Sequence, residues 1–206
     1  TLSDMESCFN IYNMERLDKE VKKGRGIIFA TIHSGDTLML MLYLALRGYK
    51  IYGLFDSNIQ YKETKNPLES LAKLKDRKIA GKIGKLYTKK GLTRLFDVLD
   101  KNGIIVWMVD LPAPNPKRRA IVDFLDKKIS VSNSLMEVAG RTGASILPHI
   151  TIYDGRHDRH NVFVGNPLSP GTGSVQDLFN FFEPYTRRYP DSWLGWYIFD
   201  MLKTEV

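Results

Sequence analysis

The feature that most constrains this chain is a continuous apolar run, Ile27-Ile28-Phe29-Ala30-Thr31-Ile32. It stops at His33-Ser34-Gly35-Asp36, and an apolar segment follows at 38–46. A run apolar at every position suits a strand buried on both faces, as in parallel sheets covered by helices. The segment at 38–46 has the length of a core helix and falls short of a membrane span. A strand followed by such a helix puts His33 and Asp36 at the strand's C-terminal edge, where open α/β sheets bind ligands. A base and a carboxylate to orient it would then share one crevice. A spacing of three on a helical turn brings both side chains to one side. The same Asp36 also suits an N-cap, its carboxylate accepting the amide of Leu38 or Met39.

The other segments extend this pattern to an α/β fold. An amphipathic helix is expected at 3–23, with Ser3 and Glu6 as a capping box and Gly24 as its stop. Strands are expected at 27–32, 50–55 and 104–109, with a weaker one at 85–87 and a short one at 120–125. Helices are expected at 38–46, 67–78, 92–101, 132–141, 175–188 and 191–201, and a hairpin pairs 146–153 with 161–164. Leu111-Pro112-Ala113-Pro114-Asn115-Pro116 cannot continue a strand and becomes a loop at the same edge as His33. No repeat or long linker divides the 206 residues. One α/β domain over 1–206 is expected, with a mainly parallel central sheet flanked by helices.

Cys8 is the only cysteine, so no intrachain disulfide can form, and a reducing, cytoplasmic setting is the simplest expectation. The opening Thr1-Leu2-Ser3-Asp4 lacks the basic end and apolar core of a signal peptide, and without an initiator Met the chain is expected to be trimmed or processed. Positive charge is concentrated at 61–94, where eleven lysines and arginines face Glu63, Glu69 and Asp76, so this stretch carries more than the whole net charge of +7. Such a field attracts polyanions: an acidic carrier protein, an anionic membrane surface or nucleic acid. A solvated lysine-rich face has the same composition. Only Tyr61 and Tyr87 are aromatic there, too few for a stacking platform for single strands.

Three local patterns point to chemistry only weakly. His157-Asp158-Arg159-His160, near Asp154, has a metal-like spacing but falls in a hairpin turn, so a solvated turn is expected and no metal. Gly171-Thr172-Gly173-Ser174 lacks both the leading strand and the following Lys of a phosphate loop. Ser34 lies outside any Gly-x-Ser-x-Gly elbow, which argues against a serine hydrolase.

The order and spacing of several segments resemble the bacterial lipid A late acyltransferases, a branch of the lysophospholipid acyltransferase superfamily. The similarity runs from about Leu17 onward and starts with Gly24-Arg25-Gly26 leading through the apolar run to His33-Ser34-Gly35. It continues with Ala45-Leu46-Arg47-Gly48-Tyr49, with Asn102-Gly103-Ile104-Ile105-Val106 running to Asp110, and with Val122-Asp123-Phe124. It ends with residues 139–148, beginning Ala139-Gly140-Arg141, and with residues 188–196, which include Tyr189-Pro190-Asp191-Ser192-Trp193.

The resemblance implies an acyltransferase with no metal or nucleotide cofactor. In that family a His and a carboxylate five positions later form the catalytic pair, and the His deprotonates an acceptor that attacks an acyl thioester. This chain keeps the histidine as His33 and has Leu38 at the acid's position, so Asp36 is the expected substitute. Asp110, with Arg118 or Arg119 after it, is expected beside the pair. Asp110, Arg118, Arg119 and Ser34 are the expected substrate-binding residues. Charge stabilisation by an Arg suits a developing oxyanion, and pairing of those arginines with Asp123 or Asp126 is the alternative. The expected donor is an acyl carrier protein or acyl-CoA, with the basic stretch as a dock. The family's N-terminal membrane helix is not present in this sequence, which favours a soluble enzyme or one peripheral on the inner face of the membrane. Two other readings stand beside this one: an aminoacyl transferase using a carrier-protein or tRNA donor, and a catalytically inactive binding protein of the same fold.

Overall fold

The computed structural model describes residues 2–55, 82–87, 92–113, 115–169 and 171–203. The helix expected at 67–78 and most of the basic stretch at 61–94 lie outside the described residues. Nine strands are described: β1 (Phe9–Tyr12), β2 (Ile27–Thr31), β3 (Ile51–Phe55), β4 (Gly84–Tyr87), β5 (Ile104–Met108), β6 (Arg119–Phe124), β7 (Lys127–Ser132), β8 (Ser145–Asp154) and β9 (Arg159–Val164). Seven form one sheet in the order β1-β9-β8-β2-β5-β3-β4, and β6 pairs with β7 as a separate ribbon. Every pairing in the large sheet is parallel except that of β8 with β9. This is the expected α/β architecture with a mainly parallel central sheet.

The apolar run is β2, buried at every position and placed between β8 and β5. Its side chains alternate between two cores. Ile28, Ala30 and Ile32 join Leu135, Ile146, Phe179 and Trp193 on one face. Ile27 and Phe29 join Leu40, Leu44 and Leu147 on the other, under the Thr37–Leu46 helix. Burial on both faces is why the run shows no polar alternation. The chain leaves β2 through the Thr37–Leu46 helix to β3, and leaves β5 through the β6–β7 ribbon and the Ser134–Thr142 helix to β8. These two routes depart from neighbouring strands toward opposite edges of the sheet. The C-terminal ends of β2 and β5 therefore flank a topological switch point, the place where such sheets open a crevice.

Several expectations are corrected. The single helix at 3–23 is instead a short helix at Leu2–Glu6, the strand β1 and a second helix at Met14–Lys22. The break is at Asn13, whose left-handed φ of 63° no helix interior allows. Phe9 then packs into the core beneath the Thr37–Leu46 helix, and the strand extends the sheet beside β9. The 191–201 helix is two 3-10 segments, Pro190–Ser192 and Leu194–Ile198, followed by one short turn at Phe199–Leu202. The short strand at 120–125 is one half of the β6–β7 ribbon, whose tight turn puts Leu125 and Asp126 at positive φ.

Candidate active site

Two residues beyond the end of β2 stands His33, and two beyond the end of β5 stands Asp110. The strands pair in parallel with Thr31 opposite Met108, and the Val109 N–H donates to the Thr31 carbonyl. This register carries the two residues out of the sheet side by side. His33 Nδ1 lies 2.7 Å from Asp110 Oδ1, and the His33 backbone N–H donates to Oδ2 at 2.9 Å. The indole Nε1–H of Trp193 donates to the same Oδ2 at 2.8 Å. Asp110 is fully buried and so receives three donors in place of water. The His33 side chain keeps 31% of its surface exposed.

This arrangement fixes the state of the ring. With Nδ1 hydrogen-bonded to a carboxylate, the proton of the neutral ring rests on Nδ1 and the lone pair on Nε2. Burial disfavours the charged ring, but the hydrogen bond to Asp110 and its charge together outweigh burial, and the His33 pKa is raised above 6.5.

The loop that carries His33 is held by the C-terminal segment. The Leu194 N–H donates to the His33 carbonyl at 2.7 Å, and the Gly35 N–H donates to the Ser192 carbonyl at 3.0 Å. Gly35 has φ of +58°, and a Cβ there would lie 2.5 Å from the Thr151 carbonyl oxygen, so only glycine makes this turn without strain. Ser34 is buried, and its hydroxyl donates to that same Thr151 carbonyl at 2.9 Å. The Ser34 hydroxyl, expected at the substrate, ties the loop to β8.

Asp36 is engaged by the helix that follows His33. It is the N-cap of the Thr37–Leu46 helix, and its carboxylate accepts the Met39 N–H at 2.8 Å. The carboxylate on His33 is that of Asp110, which the sequence placed among the substrate-binding residues. Arg118 pairs with Glu137 at 3.3 Å, while Asp123 pairs with Lys128 and Asp126 with Arg187. Arg118 and Arg119 are both exposed, and among the described residues neither makes a hydrogen bond or ion pair with His33 or Asp110.

Nothing in the local sequence connects Trp193 with Asp110. An indole N–H reaching back 83 residues has no local signature. His149 was also missed. It is fully buried, stacked on Phe29 with ring centroids 3.7 Å apart, and neither ring nitrogen has a well-formed hydrogen bond. Burial pushes its pKa down to about 3, against only a slight opposing effect of the Ala30 backbone. The His-x-x-His pattern separates: His157 is exposed and bonded to Asp154, while His160 lies in β9 against Phe9 and Tyr153. Among the described residues no group of three His, Cys, Asp or Glu side chains could hold a metal ion. No helix among them is long and apolar enough to cross a membrane.

The chain is similar to a solved structure, the 1-acyl-sn-glycerophosphate acyltransferase PlsC from Thermotoga maritima, at 13% identity over 91% of this chain and 72% of that one, with a TM-score of 0.48. No curated protein matches the sequence. The family model of the bacterial lipid A biosynthesis acyltransferases matches residues 2–196, nearly the whole length. The chain belongs to that family and is an acyltransferase.

Proposed function

We propose that the chain transfers an acyl group from a thioester, on an acyl carrier protein or coenzyme A, to a hydroxyl or amine, with His33 as general base and Asp110 as its orienting acid. The observation that carries this reading is the 2.7 Å contact of His33 Nδ1 with the buried Asp110 while the ring remains partly open to solvent. Nε2 takes the proton of the acceptor, whose oxygen or nitrogen attacks the thioester carbonyl carbon. The tetrahedral oxyanion collapses, the carbon–sulfur bond breaks, and the imidazolium returns its proton to the departing thiolate. Asp110 stabilises the imidazolium between the two transfers. Asp36 is left with the cap.

The surroundings favour an acyl chain. An exposed leucine accompanies each part of the site: Leu111 follows Asp110, Leu194 follows Trp193, and Leu38 lies in the first turn of the helix after His33, with 45, 58 and 40% of their surfaces exposed. Apolar residues around a partly open base suit a hydrocarbon better than a polar group. We place the activity on the cytoplasmic side, peripheral to an anionic membrane. The single cysteine and the basic stretch at 61–94 support that placement.

The test is consumption of acyl-carrier and acyl-CoA thioesters by the wild type and by His33→Ala. The reading expects turnover with at least one donor and its loss by about two orders of magnitude or more in the variant. Turnover that survives without His33 contradicts it.

A further inference from the structure

The C-terminal segment contributes a group that the mechanism above leaves unused. We propose that Trp193 is a positioning residue of the reaction, its indole N–H holding the Asp110 carboxylate in the orientation from which Oδ1 meets His33. The proposal rests on the assignment of Asp110 as the partner of His33.

A carboxylate turns easily about its last torsion, since that rotation has broad wells. Asp110 is held against such turning because Oδ2 accepts two donors, the His33 backbone N–H at 2.9 Å and Trp193 Nε1–H at 2.8 Å. Oδ1 is thereby left to the His33 ring. The first of these donors belongs to the loop that must be positioned, so Trp193 is the donor that comes from outside it.

Trp193 is itself held firmly. It is 2% exposed, and Phe124, Trp196 and Phe199 meet its ring edge-on at centroid distances of 5.3, 4.8 and 5.6 Å. Gly195 lies so close that a Cβ there would sit 2.2 Å from the indole. Packing alone asks only for an aromatic ring, which Phe also supplies. What Trp adds is a buried donor, and it is spent on Asp110. The same segment holds the His33 carbonyl through the Leu194 N–H, so it braces the base by its main chain and the acid by a side chain.

A donor on Asp110 also weakens the carboxylate as a partner for the imidazolium, and its removal raises the His33 pKa. Purely structural support would leave that pKa alone. Asp36, three residues after His33, accepts the Met39 N–H, and Asp191, two residues before Trp193, is exposed; neither shares a hydrogen bond with Trp193.

The test is NMR titration of the histidine rings, with the tryptophan indole protons followed in parallel. In the wild type, the Trp193 indole proton is expected to titrate with the midpoint of His33. In Trp193→Phe, that midpoint is expected to rise by about half a pH unit, with kcat reduced more than KM is changed. Phe124→Leu loosens the same packing but keeps the donor, and its His33 midpoint is expected to match the wild type. An indole proton indifferent to His33, or a folded Trp193→Phe with an unmoved midpoint, overturns the proposal. Asp110→Asn reports separately on the underlying assignment: if it leaves the His33 midpoint in place, the pairing of His33 with Asp110 fails as well.

Discussion

His33 and Asp110 each follow their strand by two residues, and the parallel register of β2 with β5 sets them side by side with Nδ1 2.7 Å from Oδ1. The carboxylate that meets His33 therefore comes from a neighbouring strand, whereas the family resemblance implies a pair completed within five residues of one chain segment. Leu38, at the family's acid position, is free to face solvent as an apolar residue. The Thr37–Leu46 helix is capped by Asp36 regardless.

The pH dependence follows from the same contact. The His33 pKa is raised, and a general base works in its neutral form, so kcat/KM is expected to climb with pH through a midpoint above 6.5. In Asp110→Asn the pair's attraction is gone and burial acts unopposed, so the residual activity shows its midpoint below 6.5. Stability changes in the opposite sense. The folded protein holds this proton more tightly than the unfolded chain, so the contribution of His33 is complete below pH 6.5 and is lost as pH rises through the raised value. A pH–rate profile of both proteins, with denaturant melts between pH 6 and 8, checks both signs.

Gly35→Ala is expected to damage the proposed site without touching the His33 or Asp110 side chain. Its positive φ and the 2.5 Å approach to the Thr151 carbonyl leave no room for a methyl, so the His33 loop must move away from β8. A loss of about 2 kcal/mol in stability is expected from strain of this kind, together with a fall in kcat from the displaced base. Gly24→Ala is the comparison, since Gly24 shares a positive φ but has nothing within 4 Å of the added carbon. It is expected to cost about 1 kcal/mol and leave kcat alone.

His149→Leu is expected to leave stability at pH 7 unchanged or raise it by about 1 kcal/mol, because a buried imidazole without good hydrogen bonds is itself unfavourable. Its pH signature is more telling. The His149 pKa is held down to about 3 in the folded state, so the unfolded chain binds the extra proton first, and stability falls as pH drops from about 6.5 toward 3. The variant flattens that part of the curve. Thermal melts of the two proteins across this range check the effect.

The central strand and its histidine were legible because both depend on local pattern: β2 is buried on two faces and ends in polar turn residues. The cap at Asp36 was legible for the same reason, as one of its two readings. Asp110 was visible as a residue at a strand end but not as the partner of His33. That pairing depends on which strands are neighbours, and β5 lies 77 positions further along the chain and is inserted between β2 and β3. Trp193 depends on a still longer return of the chain. The strand at Phe9–Tyr12 was missed because its alternation is short and the flanking segments are helical, with only the turn at Ser7–Cys8 before it and the left-handed Asn13 after it.

The most direct measurement is thioester turnover by Asp110→Asn beside Asp36→Asn, both shown to be folded. Asparagine caps a helix about as well as aspartate, so the second variant removes the charge of Asp36 and spares its structural role. A fall in kcat of about two to four orders of magnitude for Asp110→Asn, with Asp36→Asn near the wild type, is the predicted result. A large loss in Asp36→Asn with Asp110→Asn still active would contradict the account and return the acid's role to the loop of His33.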